Sequence, residues 1–280
     1  MMNNITNTKS LNIVTGFWNF IPNRPEGMYL DNMKNILLLN HNITVFVPKK
    51  YEEFILEARC DKLDKTDIII TELDDIKNKY FYEYYNKVES IRTNSKWYNS
   101  LSWLKHVPQG FSNWYNPVVM SKVFLMYESY KRNTFNSDTF VWIDAGITRH
   151  ISPQLISDDI FQNMPMYIKN VLFHSYNYTG GEVHGFNYDG FVKYTESTPP
   201  GFNCRGAIIG CDKNYMDSFL NEYSYYLNDT LDSGYLGTEE SIFSLLSCVN
   251  PISYDRIHTP NSPLQNTFLE KIKNQSHDIG

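Results

Sequence analysis

Between Leu11 and Thr71 the chain alternates short apolar runs with stretches of helical spacing, and this rhythm restricts the fold more than any other feature. Leu11–Trp18 (LNIVTGFW) is an apolar run opening into a loop at Asn19–Pro25, the pattern of a buried strand. Glu26–Leu39 carries Met28, Met33, Ile36 and Leu37 near helical spacing. Ile43–Val47 is a β-branched and aromatic strand stopped by Pro48, Tyr51–Ala58 reads as a helix, and Asp67–Thr71 as a third strand. Strands separated by helices belong to a parallel sheet. The expected fold class is therefore α/β, with a Rossmann-type, mostly parallel central sheet flanked by helices.

Beyond Thr71 the rhythm breaks. Residues 76–116 are crowded with aromatics, among them Trp97, Trp103 and Trp114, and read as helical with loops. Two readings stand for this segment: aromatic faces lining an acceptor groove, or ordinary core packing in a chain that is 15% aromatic. Pro117–Lys131 then predicts an amphipathic helix. Phe140–Ile143, Val171–Ser175 and Ala207–Ile209 predict strands, and Tyr215–Leu227 and Thr238–Leu246 helices, the last with Thr238 as N-cap. No Pro/Gly-rich linker divides the 280 residues, so one domain over 1–280 is expected, with 76–116 as an aromatic-rich helical insertion.

A net charge of −6 argues against a nucleic-acid partner, since phosphate backbones want a basic surface, but leaves room for a small phosphorylated ligand in a local positive pocket. No run approaches the roughly 18 apolar residues of a membrane helix. Met1–Asn12 lacks the apolar core of a secretory signal, and Cys60, Cys204, Cys211 and Cys248 show no metal spacing. A cytoplasmic protein with reduced thiols is the expectation.

The strongest chemical signal is Val141-Trp142-Ile143-Asp144-Ala145-Gly146. Ligands of parallel sheets gather outside the carboxyl ends of strands, so an acid directly after an apolar strand is presented at the active edge. A carboxylate there can hold Mg²⁺ or Mn²⁺ beside a diphosphate; the plain alternative is a strand-end turn. Lys122 and Arg149 are cations that would neutralise such a diphosphate, or else solvated surface charges. In Phe202–Gly210 (FNCRGAIIG) small and polar residues alternate where a backbone can approach a ligand, with Asn203 and Arg205 as acceptor-side candidates. Glu239 and Glu240, at a helix start, would serve as base or grip acceptor hydroxyls, or simply complement the helix dipole. His258 is a lone histidine, structural or metal-ligating.

Taken together, Asn116-Pro117 with Lys122, FVWIDAGITR (Phe140–Arg149), GAIIG (Gly206–Gly210) and GTEESIF (Gly237–Phe243) resemble the HtrL/YibB family of glycosyltransferase-like proteins, and more broadly the GT-A glycosyltransferase fold. The resemblance implies transfer of a sugar from a nucleotide-sugar donor, UDP-linked, to a hydroxyl of a glycan or protein acceptor. It implies Mn²⁺ or Mg²⁺ on Asp144 with His258 as late ligand. It also places Thr15, Phe17, Lys122, Asp144, Ala145 and Arg149 at the donor, and Glu239 or Glu240 as base. One departure from the family pattern is that Gly146 stands where a second Asp of an Asp-x-Asp motif would be. That loss favours the rival reading of a non-catalytic sugar- or nucleotide-binding relative. An interaction protein using the aromatic segment is a second rival. A nucleotidyltransferase is a third, weakened by the lack of a Gly-rich phosphate loop after the first strand.

Overall fold

Apolar runs without polar alternation demand burial on both faces of a sheet, and the strands Leu11–Gly16, Asn42–Val47 and Thr139–Ile143 are buried that way. The computed structural model describes residues 9–195, 201–260 and 265–275. In chain order its strands are β1 (Leu11–Gly16), β2 (Asn42–Val47), β3 (Thr66–Ile70), β4 (Thr139–Ile143), β5 (Val171–Asn177), the short β6 (Glu182–Val183) and β7 (Phe186–Asn187), β8 (Phe202–Asp212) and β9 (Tyr254–His258). Seven of them form one sheet in the order β3-β2-β1-β4-β8-β5-β9, while β6 and β7 make a separate hairpin. Four of the six pairings in the large sheet are parallel; both antiparallel ones belong to β8. The mostly parallel sheet flanked by helices is thus present.

Period two divides each strand between two cores. Ile13, Val141 and Ile143 join Met33, Ile36 and Leu37 of the helix Glu26–Leu37 on one side. Val14, Phe140 and Trp142 join Met126, Phe219 and Phe243 on the other. The aromatic segment packs into this second core: Trp97 is buried and donates from Nε1 to Leu236 O at 2.9 Å, while Trp103 and Trp114 lie half-covered against it. No helix among the described residues is long and apolar enough to cross a membrane.

Two of the elements expected from the sequence differ in extent, and β9 and the β6–β7 hairpin were not expected from it. The expected helix Pro117–Lys131 is two helices, Tyr115–Met120 and Lys122–Arg132, meeting at Ser121. The Ser121 hydroxyl donates back to Pro117 O at 2.5 Å, a side-chain bond that competes with the helical ladder. The expected strand Ala207–Ile209 is the middle of the eleven-residue β8, so Asn203 and Arg205 lie within the strand rather than on a loop before it.

The strand order reverses direction at β1, between β2 and β4. Gly16 to Trp18 leave the carboxyl end of β1, and Asp144 to Gly146 leave that of β4. Their divergence opens a crevice of about 330 Å³ at this switch point.

Candidate functional site

Four cations (Arg24, Lys122, Arg149, Arg205) and three carboxylates (Asp144, Glu239, Glu240) line the crevice, so a chain of net charge −6 concentrates positive charge here. At the centre is Lys122, the first residue of its helix. Its Nζ donates to Glu239 Oε1 at 2.7 Å and Gly206 O at 2.9 Å, and lies 2.8 Å from Asp144 Oδ1. These partners use all three ammonium hydrogens. Burial works against the charge on Lys122, but the Asp144 and Glu239 carboxylates outweigh it and raise its pKa. Asp144 is fixed further by Trp142, whose Nε1 donates to the same Oδ1 at 2.7 Å.

Glu239 and Glu240 begin the helix Glu239–Val249, at whose start Ser241 Oγ accepts the Thr238 N–H at 3.2 Å. The two carboxylates diverge. Burial raises the Glu239 carboxyl against the pull of Lys122. Burial also acts to raise Glu240, but the Arg205 guanidinium and the His184 ring hold it well below the usual carboxylate range. Glu240 Oε1 accepts from Gly206 N at 3.0 Å and lies 3.6 Å from Arg205 Nε; Oε2 takes Asn203 Nδ2 at 3.2 Å and His184 Nε2 at 2.8 Å.

Gly206 explains part of this packing. A Cβ there would stand 2.3 Å from Glu239 Oε1. The close backbone approach expected near FNCRG is therefore made by the protein's own carboxylate.

The candidates drawn from sequence thus divide. Lys122, Asp144, Glu239, Glu240 and Arg205 converge, with Phe17, Ala145 and Arg149 on the same walls. Asn203 is buried behind them, where it braces Glu240 and accepts from Ser244 Oγ at 2.9 Å. Thr15 is also buried, its hydroxyl donating to Ile143 O at 2.7 Å, so its side chain ties β1 to β4 instead of facing the crevice. Thr15→Val is expected to cost about 1 kcal/mol in urea denaturation, the worth of one buried hydrogen bond.

His258 stands on β9, at the far edge of the sheet. Its ring nitrogens are engaged by Ser175 Oγ and Asn177 Oδ1, each at 3.0 Å. The expected joint ligation of an ion by Asp144 and His258 does not form. A divalent ion gathers several oxygen ligands. Here one oxygen of Asp144 is engaged by Lys122 and Trp142, position 146 has no side chain, and no three His, Cys, Asp or Glu side chains among the described residues are grouped to hold a metal. The residues present do not fit such an ion.

Sequence reasoning did not single out Tyr29, His184 or the side chain of Arg24. Tyr29 stacks on Phe17 at 5.9 Å between ring centroids, and both Arg24 and Arg149 lie over its ring. His184 and Gly185, with φ of 50° and 89°, form the turn between β6 and β7, both in the left-handed region that a two-residue hairpin favours. Burial acts to lower the His184 pKa, yet the neighbouring Glu240 carboxylate raises it. A His-Gly pair between short apolar segments was the available signal for this turn, and it is a weak one.

Residues 4–175, more than half of the chain, match the family described as "Bacterial protein of unknown function (HtrL_YibB)". No curated protein matches at a significant level. Among solved structures, the chain is similar to mouse xyloside xylosyltransferase 1 in its apo form, at 11% identity over 89% of this chain and 84% of that one, with a TM-score of 0.48. It is similar to core-mannan synthase A from Aspergillus fumigatus in its Mn/GDP form, at 10% identity over 91% and 77%, with a TM-score of 0.47. It is also similar to 4-diphosphocytidyl-2C-methyl-D-erythritol synthase from Anaerococcus prevotii, at 12% identity over 97% and 96%, with a TM-score of 0.44.

Proposed function

The chain belongs to the HtrL_YibB family, and from that premise and the geometry of the crevice we propose that it is a nucleotide-sugar-dependent glycosyltransferase acting on a hydroxyl of a glycan or protein. The observation that carries this reading is the site at the β1/β4 switch point, where Asp144, Lys122 and Glu239 form a fixed charged chain beside exposed guanidinium. Such a crevice suits a ligand with a diphosphate and a polar, uncharged remainder.

In the reaction the acceptor oxygen bonds to the anomeric carbon, the bond from that carbon to the diphosphate oxygen breaks, and its electron pair leaves with the nucleotide. Negative charge grows on the departing phosphate, where fixed cations stabilise it most. Glu240 is a poor base, because its oxygens are taken by strong donors. Glu239, with its raised carboxyl, is the better acceptor of the hydroxyl proton in an inverting transfer. In a retaining transfer the departing phosphate takes that proton.

The test is release of free UDP or GDP from a panel of UDP- and GDP-sugars, comparing the wild type with Asp144→Ala. Release from one donor that disappears in the variant supports the proposal. Donor binding without release favours the second reading, a non-catalytic sugar- or nucleotide-binding protein, which the donor-saturated Glu240 and the lone Asp144 also suit. Neither binding nor release would sink both.

A further inference from the structure

Of the crevice's four cations, Lys122 and Arg205 are committed to carboxylates. Arg24 and Arg149 form no ion pair among the described residues. Arg92 and Arg132, by contrast, each sit on an acid. Both unpaired guanidiniums instead rest on one aromatic ring: Arg24 Cζ lies 5.3 Å and Arg149 Cζ 4.6 Å from the centroid of Tyr29. Arg149 Nη1 also donates to the Tyr29 hydroxyl. Tyr29 is itself buried and backed by Phe17, which packs in turn on Tyr51 at 5.1 Å. Two forked donors are thus held at the mouth of the crevice by a rigid aromatic stack, without an acid to neutralise them.

Gly146 belongs to the same arrangement. A Cβ there would stand 3.1 Å from Tyr29 Cε1 and 3.2 Å from Cδ1, with Arg149 Cδ at 3.8 Å. The side chain that would complete an Asp-x-Asp pair is replaced by the ring that seats the guanidiniums. A side chain at 146 would therefore crowd the ring that seats the arginine pair, which would have to give by a few tenths of an ångström to admit a second carboxylate.

We propose that the diphosphate of the nucleotide donor is bound by the guanidinium pair Arg24 and Arg149 on Tyr29, and that this binding requires no divalent ion. The proposal rests on the transferase reading above. Lys122 supports it indirectly: its hydrogens are turned inward, where it cancels charge from Asp144 and Glu239 that would otherwise repel the phosphates. Gly146 is then a requirement of the site, not the scar of a lost motif.

Calorimetric titration with UDP and with GDP tests this, in EDTA and again in Mn²⁺, using the wild type, Arg24→Ala, Arg149→Ala and Gly146→Asp. The expected result is a wild-type Kd equal within about threefold in the two buffers, weakened about tenfold by each arginine substitution and at least as much by Gly146→Asp. The arginine variants should keep the wild-type melting temperature, since neither side chain is fully buried. Wild-type binding that appears only with Mn²⁺, arginine variants that bind like the wild type, or tighter Mn²⁺-dependent binding by Gly146→Asp would each overturn the inference and leave the transferase reading standing. Absence of UDP and GDP binding in both buffers, with no donor turnover, would overturn the two together.

Discussion

Lys122→Met is expected to lower stability by about 3 kcal/mol at pH 7, the lower end of the range for breaking a buried ion pair. The lower end applies because Asp144 is about a third exposed, with a side-chain exposure of 36%, and solvent screens its share. Methionine fills the volume of the lysine stem but supplies no donor. Glu239 would be left buried at 6% exposure, facing Asp144 and the Gly206 carbonyl without a counter-charge. The cheapest response is for Glu239 to take a proton, since its carboxyl is already raised. The deficit should therefore shrink as the pH falls from 7 to 5. In the wild type, the raised pKa of Lys122 means that its stabilisation is complete below its unfolded value of 10.5 and fades only as the pH rises through the folded value. Urea denaturation at pH 7 and pH 5 checks both statements. A loss under 1 kcal/mol at pH 7 would show that the carboxylates are hydrated and the network is not a buried one.

Glu240→Gln is expected to cost about 2 kcal/mol, the worth of a hydrogen bond to a charged group, with a pH dependence that identifies its partners. The substitution is nearly isosteric, so shape is kept and charge is lost. Glu240 has a depressed pKa, so its contribution is present above the unfolded value of 4.5 and is lost as the pH falls toward the folded one. His184 has a raised pKa, so its contribution is complete below 6.5 and is lost as the pH rises through the folded value. Both charges are fully present only between these limits. The difference in stability between wild type and variant should therefore peak between pH 4.5 and 6.5 and decline on either side. Denaturation across pH 4 to 8 reads this directly; a difference that stays flat from pH 6.5 to 8 would mean that His184 is not the partner and that Arg205 alone holds the carboxylate.

Much of the scaffold was legible in the sequence alone. Ile13, Val141 and Ile143 announce buried strands because both faces of a covered sheet must be apolar. Asp144, placed directly after such a run, had to emerge at a carboxyl end. The boundaries of β8 were less legible, because Asn203, Arg205 and Gly206 are unlike strand residues. They are tolerated there because Glu240 and Glu239 meet them, and those partners lie more than thirty residues away along the chain. The junction at Ser121 was hidden for a similar reason: apolar spacing continues through it, and what marks it is a hydroxyl bonded back to Pro117 O.

The sequence by itself determined that Phe140–Ile143 is a buried strand and that Asp144 emerges at its carboxyl end, since an uninterrupted apolar run and its abrupt end fix both the burial and the end of a strand. Only the tertiary structure decided which other side chains gather around that end and what they do there. A buried charge must find a counter-charge, and which one it finds depends on strands and helices brought together from distant parts of the chain. That choice turned Lys122 inward onto Asp144 and Glu239, sent Thr15 to a carbonyl of β4, left His258 at the far edge, and filled the space beside Gly146 with the ring of Tyr29.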